Sequence, residues 1–592
     1  MFSAPLRELR FVMHELLASA PVLGAAYAEI GYSAELADNI AEEAAKFAEE
    51  VLAPINASGD REGARWTPDG VVMPKGFRAA YSAYVEAGWA QLSIGTALGG
   101  QGMPQLVNTA VEELMFAANM SFFLGTSLAR GAVDAIAASA TEEQKATLLP
   151  RLVTGEWMGT MNLTEPQAGS DLALLRTRAV AEADHYRLYG QKIFITYGEH
   201  DLAENIIHLV LARIDGAPEG VKGISLFCVP KLLVNADGSL GERNDLRCIS
   251  IEHKLGIHAS PTCVMSFGEK DGAVGYLLGP PHAGLSFMFI MMNAARLSVG
   301  VQGLAQSERA WQSAQEWARN RLQGRVDGKP APVAIVEHPD VRRMLLSMKA
   351  RTEAMRALCS YAALELDKGH RLGDAAQRKS ALARAELLVP VVKGWCTETA
   401  IDVTSTGVQV HGGMGYIEET GVAQHLRDVR IASIYEGTTG IQSNDLIGRK
   451  LARDRGAAMN ALIKDLLAEL NASRALGVEA KAARNGATEG LTTLRDATES
   501  LLRMHAESPP LALAVAVPYL KLCGLVISGC LMARAAMLAE AALAANAGDV
   551  FYQAKLVTCR FYADQVLPEA LGLARVVKGG AASVTEARSE LI

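Results

Sequence analysis

The residue with the plainest chemical potential in this chain is a carboxylate, Glu436, in the stretch IASIYEGTTGIQ. It stands between the apolar Ile434 and Tyr435 and a loop of glycine and threonine. An acid with apolar neighbours loses solvation, which raises its pKa and makes it a better proton acceptor near neutral pH. Gly437 beside it lets the backbone approach a ligand closely. The plainer alternative is a helix-start carboxylate at the surface. A second stretch, MNLTEPQAGSDL at 161–172, gathers Thr164, Gly169, Ser170 and Asp171 in a turn-rich segment where simple loop capping is the competing explanation. A third, HGGMGYIEETG, offers bare backbone amides at Gly412 and Gly413 to a phosphate or cofactor. It lacks the full G-x-G-x-x-G pattern and no strand clearly precedes it, which argues against a Rossmann turn.

Such residues need a large frame, and 592 residues exceed what one hydrophobic core serves, so several domains or one large enzyme body with an appendage are expected. The balance of 57 basic against 65 acidic residues, a formal net charge of -8, carries no basic stripe of the kind nucleic-acid binders use and fits a cytoplasmic enzyme. Eight scattered cysteines, with no Cys-x-x-Cys and no His/Cys cluster, indicate neither a disulfide framework nor a metal site; reduced thiols are expected. The opening MFSAPLRELRFVMHELLASAPVLGAA carries Arg7 and Arg10, but His14 and Glu15 interrupt its apolar part, so it reads as mature protein rather than a signal peptide. The apolar stretch at 509–544 is long enough to suggest a membrane span. Pro518 and Lys521 break it, and a buried helix pair without stable membrane insertion is expected.

The elements that position these residues fall into blocks. Residues 1–157 are read as an N-terminal helical domain, with helical spacing in AELADNIAEEAAKFAEEVLAPI and NTAVEELMFAANMSFFL. Residues 158–282 change to short β-branched runs between turn residues, such as HYRLYGQKIFIT, NIIHLVLARI and GISLFCVP, which predict an antiparallel β domain. Long helical patterns resume over 283–455, as four-helix-bundle packing produces, and residues 456–592 form a further helical extension with a possible connector near 471–490. The fold class is therefore mainly α with an inserted β domain.

Helix, β and helix blocks in that order, with LTEPQAGSDL, KIFIT, the R-x-x-x-G spacing at Arg296, and QVHGGMGYIEE followed by LRDVRIASIYEGTTGIQ, resemble the acyl-CoA dehydrogenase family of flavoenzymes over about residues 36 to 450. The resemblance implies FAD as cofactor and an acyl-CoA substrate, with proton removal from Cα of the thioester and hydride transfer from Cβ to flavin N5. By the same resemblance Glu436 is the catalytic base, and its backbone N–H helps polarise the thioester carbonyl. Leu163, Thr164, Ser170, Phe194 and Thr196 match one subunit's flavin contacts. Arg321 matches an arginine reaching the pyrophosphate of a neighbouring subunit's FAD, Gln409, Gly412 and Gly413 its adenosine-side partners, and Thr438 a cofactor contact after the base. Ser170, Arg296 and Gly437 match substrate-side positions. Each also has an ordinary structural explanation: Ser170 with Asp171 as an N-cap, Phe194 as strand core, Gly412 and Gly413 as a turn, Arg296 as half of a helix-face ion pair.

The sequence departs from the family pattern at several places. Phe194 stands where tryptophan is common, Met161 where an aromatic is common, and Gly440 where glutamine often follows the base. The loop Leu322-Gln323-Gly324-Arg325 is one residue shorter than the family's R-x-x-F-G. The C-terminal extension resembles the enlarged bacterial branch that includes 3-methylmercaptopropionyl-CoA dehydrogenases and some fatty-acyl-CoA dehydrogenases. It would occupy surfaces through which ordinary tetramers pair, so a homodimer is expected.

The expected activity is thus dehydrogenation of a medium- or long-chain fatty acyl-CoA, as in β-oxidation, with an electron-transferring flavoprotein as acceptor. The alternatives are a 3-methylmercaptopropionyl-CoA dehydrogenase, an acyl-CoA oxidase, a flavin-containing nucleic-acid-binding relative and a non-catalytic scaffold. Lys/Arg and Asp/Glu are nearly balanced after residue 450, which counts against the nucleic-acid reading.

Overall fold

In the computed structural model of this chain, residues 2–235, 237–472 and 477–592 are described. They form two compact units, each assembled from separated stretches. One comprises Met1–Ala45, Pro104–Ala117 and Val299–Ile592; the other comprises Lys46–Met103 and Ala118–Ser298. The helical block at the start of the sequence is shared between them.

The second unit is built on a sheet of eight strands: β1 (Trp157–Asn162), β2 (Arg178–Ala181), β3 (Tyr186–Thr196), β4 (Asn205–Ile214), β5 (Ile224–Pro230), β6 (Leu246–Ile251), β7 (Thr262–Phe267) and β8 (Ala273–Leu278). Their order is β6-β7-β3-β8-β5-β4-β1, with β2 beside β3 and β4. Most pairings are antiparallel, but β1 and β2 run parallel to β4. Parallel pairing needs more than a hairpin to return the chain, and the long loop and strands between β1 and β4 supply it. Strands β4 and β5 are buried nearly throughout because both faces are covered. Leu209 and Leu211 face one core with Ala132, Ile136 and Leu148, while Val210 and Ala212 face another with Phe227, Val229 and Met265. Gly159 on β1 permits the close helix approach: a Cβ there would lie 2.3 Å from that of Ala132.

In the first unit three long helices come before the turn region, α1 (Gly284–Asn320, of which the part from Val299 belongs to this unit), α2 (Pro339–Arg371) and α3 (Ala375–His411). Arg356 on α2 is buried and clasps Glu113 at 2.6 Å and Glu308 at 2.7 Å, tying helix Gln105–Ala118, α1 and α2 together. Short helices follow, including α4 (Thr439–Asp445), and then the C-terminal extension with α5 (Ala457–Asn471), α6 (Val478–Glu507), α7 (Ala516–Ala545) and α8 (Val550–Phe561). Of the connector expected near 471–490, residues 473–476 lie outside the described residues, while from Val478 onward the chain is already helix α6. The apolar stretch at 509–544 forms the short helix Pro509–Ala514 followed by α7, and 83% of the most apolar window of α7 is buried. Its apolar surface is core, and Pro518 sits in its first turn, where no amide donor is required. The N-terminal segment closes on this extension, with Phe11 edge-on to Phe551 at 5.6 Å and the buried Lys555 bridging Glu8 and Glu353.

Two histidines are fully buried in the sheet unit. Burial, with the charge of Lys231 adding to it, pushes the imidazoles of His200 and His208 down to about 3. Unfolded, each titrates near 6.5. Below that pH the unfolded chain takes up protons the folded unit refuses, so stability falls as pH falls. The melting temperature measured by calorimetry is expected to be lower at pH 5 than at pH 7.5, and His208→Gln is expected to flatten that dependence.

Candidate active site

After α3 ends, the chain of the first unit passes through short helices to the turn Ile434–Thr438 and then into α4. Glu436 has φ +54 and Gly437 φ +88, two consecutive left-handed residues. For a residue with a side chain this conformation costs about 1 to 2 kcal/mol, so something must hold it. The holding groups are buried. Lys393 Nζ, from the interior of α3, donates to the Gly437 carbonyl at 2.6 Å. Gln442 Nε2, from α4, donates to the Glu436 carbonyl at 3.1 Å and reaches Gly437 O at 3.3 Å. A Cβ on Gly437 would also lie 2.8 Å from Gln442 Nε2, so a side chain there would push on the amide that holds the turn. Thr438 accepts from the Ile441 N–H at 3.3 Å and starts α4, and Thr439 donates to Glu398 at 2.6 Å. On the other side the Tyr435 hydroxyl donates to Gln302 of α1.

Glu436 itself is half-buried. Of the two neighbours expected to desolvate it, Ile434 is 47% exposed and provides little cover. Tyr435 does lie close: burial first, and then the charge of Glu436, drive its phenol above the usual range.

In the sheet unit, Leu163, Thr164, Phe194 and Thr196 come together at the ends of β1 and β3. The Ile193 N–H donates to Thr164 O at 2.9 Å, and Thr160 Oγ1 donates to Thr196 O at 2.6 Å. The register between β3 and β7 slips between Lys192 and Ile195, leaving an extra residue on β3. Phe194 occupies that bulge with φ +59 and is 58% exposed, so it is not the strand-core residue that its apolar type also allowed. Beneath it lies a fully buried pair that sequence reasoning missed. Lys192 Nζ donates to Glu165 at 2.8 Å and to Leu163 O at 3.0 Å, and Glu165 also accepts from the N–H groups of Arg176 and Thr177. Burial opposes ionisation of Glu165, yet the Lys192 ammonium and these hydrogen bonds keep its carboxyl below the usual range. Ser170 is exposed in the following loop, where Asp171 caps the Ala173 N–H at 2.9 Å. Arg296 is buried along α1.

The remaining positions share one end of the first unit. Trp317 near the end of α1 stacks on His411 at the end of α3, with ring centroids 5.1 Å apart. Arg321 follows Trp317 by four residues, and Gln409, Gly412 and Gly413 flank His411; all four are exposed. A Cβ on either glycine would meet nothing within 4 Å, and Arg321 has no ion-pair partner among the described residues. The shortened loop after Arg321 folds back as a hairpin, with the Gln323 N–H donating to Val333 O at 2.8 Å and the Ile335 N–H to Arg321 O at 2.8 Å. Lys393 and Lys192 were the overlooked residues. The available signal was a single lysine inside an apolar run, VPVVKGWC in one case and QKIFIT in the other.

Four family models match the chain in series: the acyl-CoA dehydrogenase N-terminal domain at 35–156, the middle domain at 160–269, the C-terminal domain at 282–452 and an acetyl-CoA dehydrogenase C-terminal-like domain at 457–588. A 3-methylmercaptopropionyl-CoA dehydrogenase from Ruegeria pomeroyi is 48% identical over 96% of this chain and 96% of its own. The chain belongs to the acyl-CoA dehydrogenase family. Another member, the broad-specificity linear acyl-CoA dehydrogenase FadE5 of Mycobacterium tuberculosis, is 37% identical over 89% of each chain. Among solved structures, an acyl-CoA dehydrogenase complexed with FAD from Bacillus anthracis superimposes with a TM-score of 0.73 at 21% identity, covering 95% of this chain and 90% of that one. The likeness extends the family fold through the C-terminal extension.

Removing the cation beneath Phe194 tests how the sheet-side cluster is held. Lys192→Met leaves the Glu165 carboxylate buried without its counter-charge, and a loss of about 3 kcal/mol or more is expected. Chemical denaturation is expected to show the drop, whereas Lys145→Met, in an exposed pair with Glu142, is expected to change little.

Proposed function

We propose that this protein is an FAD-dependent dehydrogenase that converts 3-methylmercaptopropionyl-CoA to the corresponding trans-2-enoyl-CoA. The observation that carries the reaction is Glu436, a half-buried carboxylate locked in a left-handed turn by buried donors. Such a carboxylate can face a ligand and take a proton. The Cα–H bond of the thioester breaks toward Glu436, the Cβ–H bond breaks as hydride, and the pair left between the carbons becomes the double bond. The Glu436 N–H would stabilise negative charge developing on the thioester oxygen. Support for the substrate is the 48% identity to the Ruegeria enzyme along nearly the whole chain. The likeness to the broad-specificity enzyme supports a second reading, a medium- or long-chain linear acyl-CoA.

The residues present suit FAD, which when bound supplies the hydride acceptor. Phe194 offers an exposed aromatic face, with Leu163, Thr164 and Thr196 around it for the ring, while Ser170 is free to meet a phosphate. Arg321 and the open backbone at Gly412 and Gly413 suit the pyrophosphate and adenosine of a second copy's cofactor, with Gln409 beside them and Thr438 near the base. Arg296 and Gly437 remain substrate-side candidates. Met414, Tyr416 and Ile417, exposed on the same segment, favour a homodimer covering this end. An electron-transferring flavoprotein as acceptor and a cytoplasmic location complete the reading.

Anaerobic bleaching of the flavin absorbance against a panel of acyl-CoA thioesters tests it. Fastest bleaching is expected with 3-methylmercaptopropionyl-CoA; preference for a C8 to C16 chain selects the second reading, and no bleaching by any thioester overturns both. Glu436→Gln is expected to retain FAD and slow bleaching at least ~100-fold, because the amide cannot take the Cα proton. Arg321→Ala is expected to lower FAD occupancy after gel filtration through loss of a charge-assisted phosphate contact.

A further inference from the structure

Helix α7 of the C-terminal extension packs directly behind the turn that carries Glu436, and the contact runs through three consecutive residues of α3. Lys393 points to the turn, with Nζ 2.6 Å from the Gly437 carbonyl, and its side chain is wholly buried. Gly394 and Trp395 meet α7 instead. A Cβ on Gly394 would lie 2.8 Å from Leu520 Cδ2, and a Cβ on Gly524 would lie 2.2 Å from Trp395 Cγ. Neither helix can move toward the other, and side chains of both fill the space between them. A second link runs beside the first: Lys521 of α7 stands 3.9 Å from Glu398, which accepts from Thr439 at the start of α4.

A buried ammonium in an otherwise apolar stretch of helix is costly unless its donors are used. Here one donor is spent on the carbonyl of the second left-handed residue, the link that fixes where the preceding carboxylate points. Proton abstraction is sensitive to that aim, since a displacement of about 1 Å can cost on the order of 100-fold in rate. We propose that Lys393 is the positioning residue for Glu436 and that the C-terminal extension takes part in the reaction by clamping α3 around it. The extension is then more than a stabilising appendage: it sets the geometry of the base. This inference rests on Glu436 being the base, as proposed above.

The test uses the full-length, FAD-loaded protein, the panel thioester that bleaches the wild type fastest, and the same thioester dideuterated at Cα. Lys393→Met is expected to slow bleaching at saturation by ~10-fold or more, leave the half-saturating concentration within about twofold, and enlarge the Cα isotope effect, because proton abstraction becomes more fully limiting. Leu520→Ala, which loosens α7 against Gly394, is expected to shift rate and isotope effect in the same direction by a smaller factor, ~3-fold. Wild-type rates in both variants, or slower rates with an unchanged isotope effect, overturn the proposal. Should Lys393→Met lose FAD, Leu520→Ala decides by the same two readouts. Glu436→Gln separates the levels: if it bleaches like the wild type, the base assignment itself falls, whereas a dead Glu436→Gln beside a fully active Lys393→Met overturns only the positioning role.

Discussion

The first unit depends on a backbone conformation that its central residue does not favour. Glu436 and Gly437 are both left-handed, and an isolated peptide of this sequence would relax out of that shape. Buried donors from two helices remove the choice: Lys393 takes the Gly437 carbonyl and Gln442 reaches both carbonyls. Around this anchor, Tyr435 is tied to α1 through Gln302 and Thr439 to α3 through Glu398. The long helices therefore do more than bury apolar surface; α1 and α3 hold Tyr435, Gly437 and Thr439 by hydrogen bonds.

The sheet unit solves a similar problem with a different device. Phe194 needs φ +59 to stand out from its strand, and a bulge provides it. A bulge weakens the ladder locally. The buried Lys192 and Glu165 restore order by gripping the loop after β1, with the lysine on the Leu163 carbonyl and the glutamate on the Arg176 and Thr177 amides. In both units a strained residue, half-buried Glu436 in one and exposed Phe194 in the other, is underpinned by a buried ionic or polar group. Buried groups of this kind contribute specificity of shape, since an apolar replacement of equal volume would fill the space without directing the backbone.

The extension after residue 456 is integrated into the first unit from both chain ends. Its helix α7 is largely apolar and packs against α3, α6 and the N-terminal segment. Lys555 joins Glu8 near the start of the chain to Glu353 on α2. Such cross-links make the extension part of the same core as the turn that carries Glu436.

Much of this was legible in the sequence, and the reason is locality. The order of helical and β blocks shows in periodicity, and Glu436, Thr164, Ser170, Phe194 and Gly412 sit in contiguous motifs whose neighbours carry the signal. The expected helix pair is present as Pro509–Ala514 and α7, but the break falls at Val515. Helix α7 runs unbroken through Pro518 and Lys521, and what accounts for its apolar length is burial, which is a tertiary fact. What the sequence left open involves partners far apart along the chain. Lys393 lies 44 residues before the carbonyl it holds, and Lys192 lies 27 residues after its glutamate. The cover expected from Ile434 failed for a related reason: the turn, not the residue type, decides which way a side chain points, and Ile434 points outward. The two parallel strand pairings and the division of the first helical block between two units likewise appear only when the chain closes on itself. Local patterns state which elements form and which residues have chemical capacity; the aim of those residues is set by long-range packing, which no local pattern encodes.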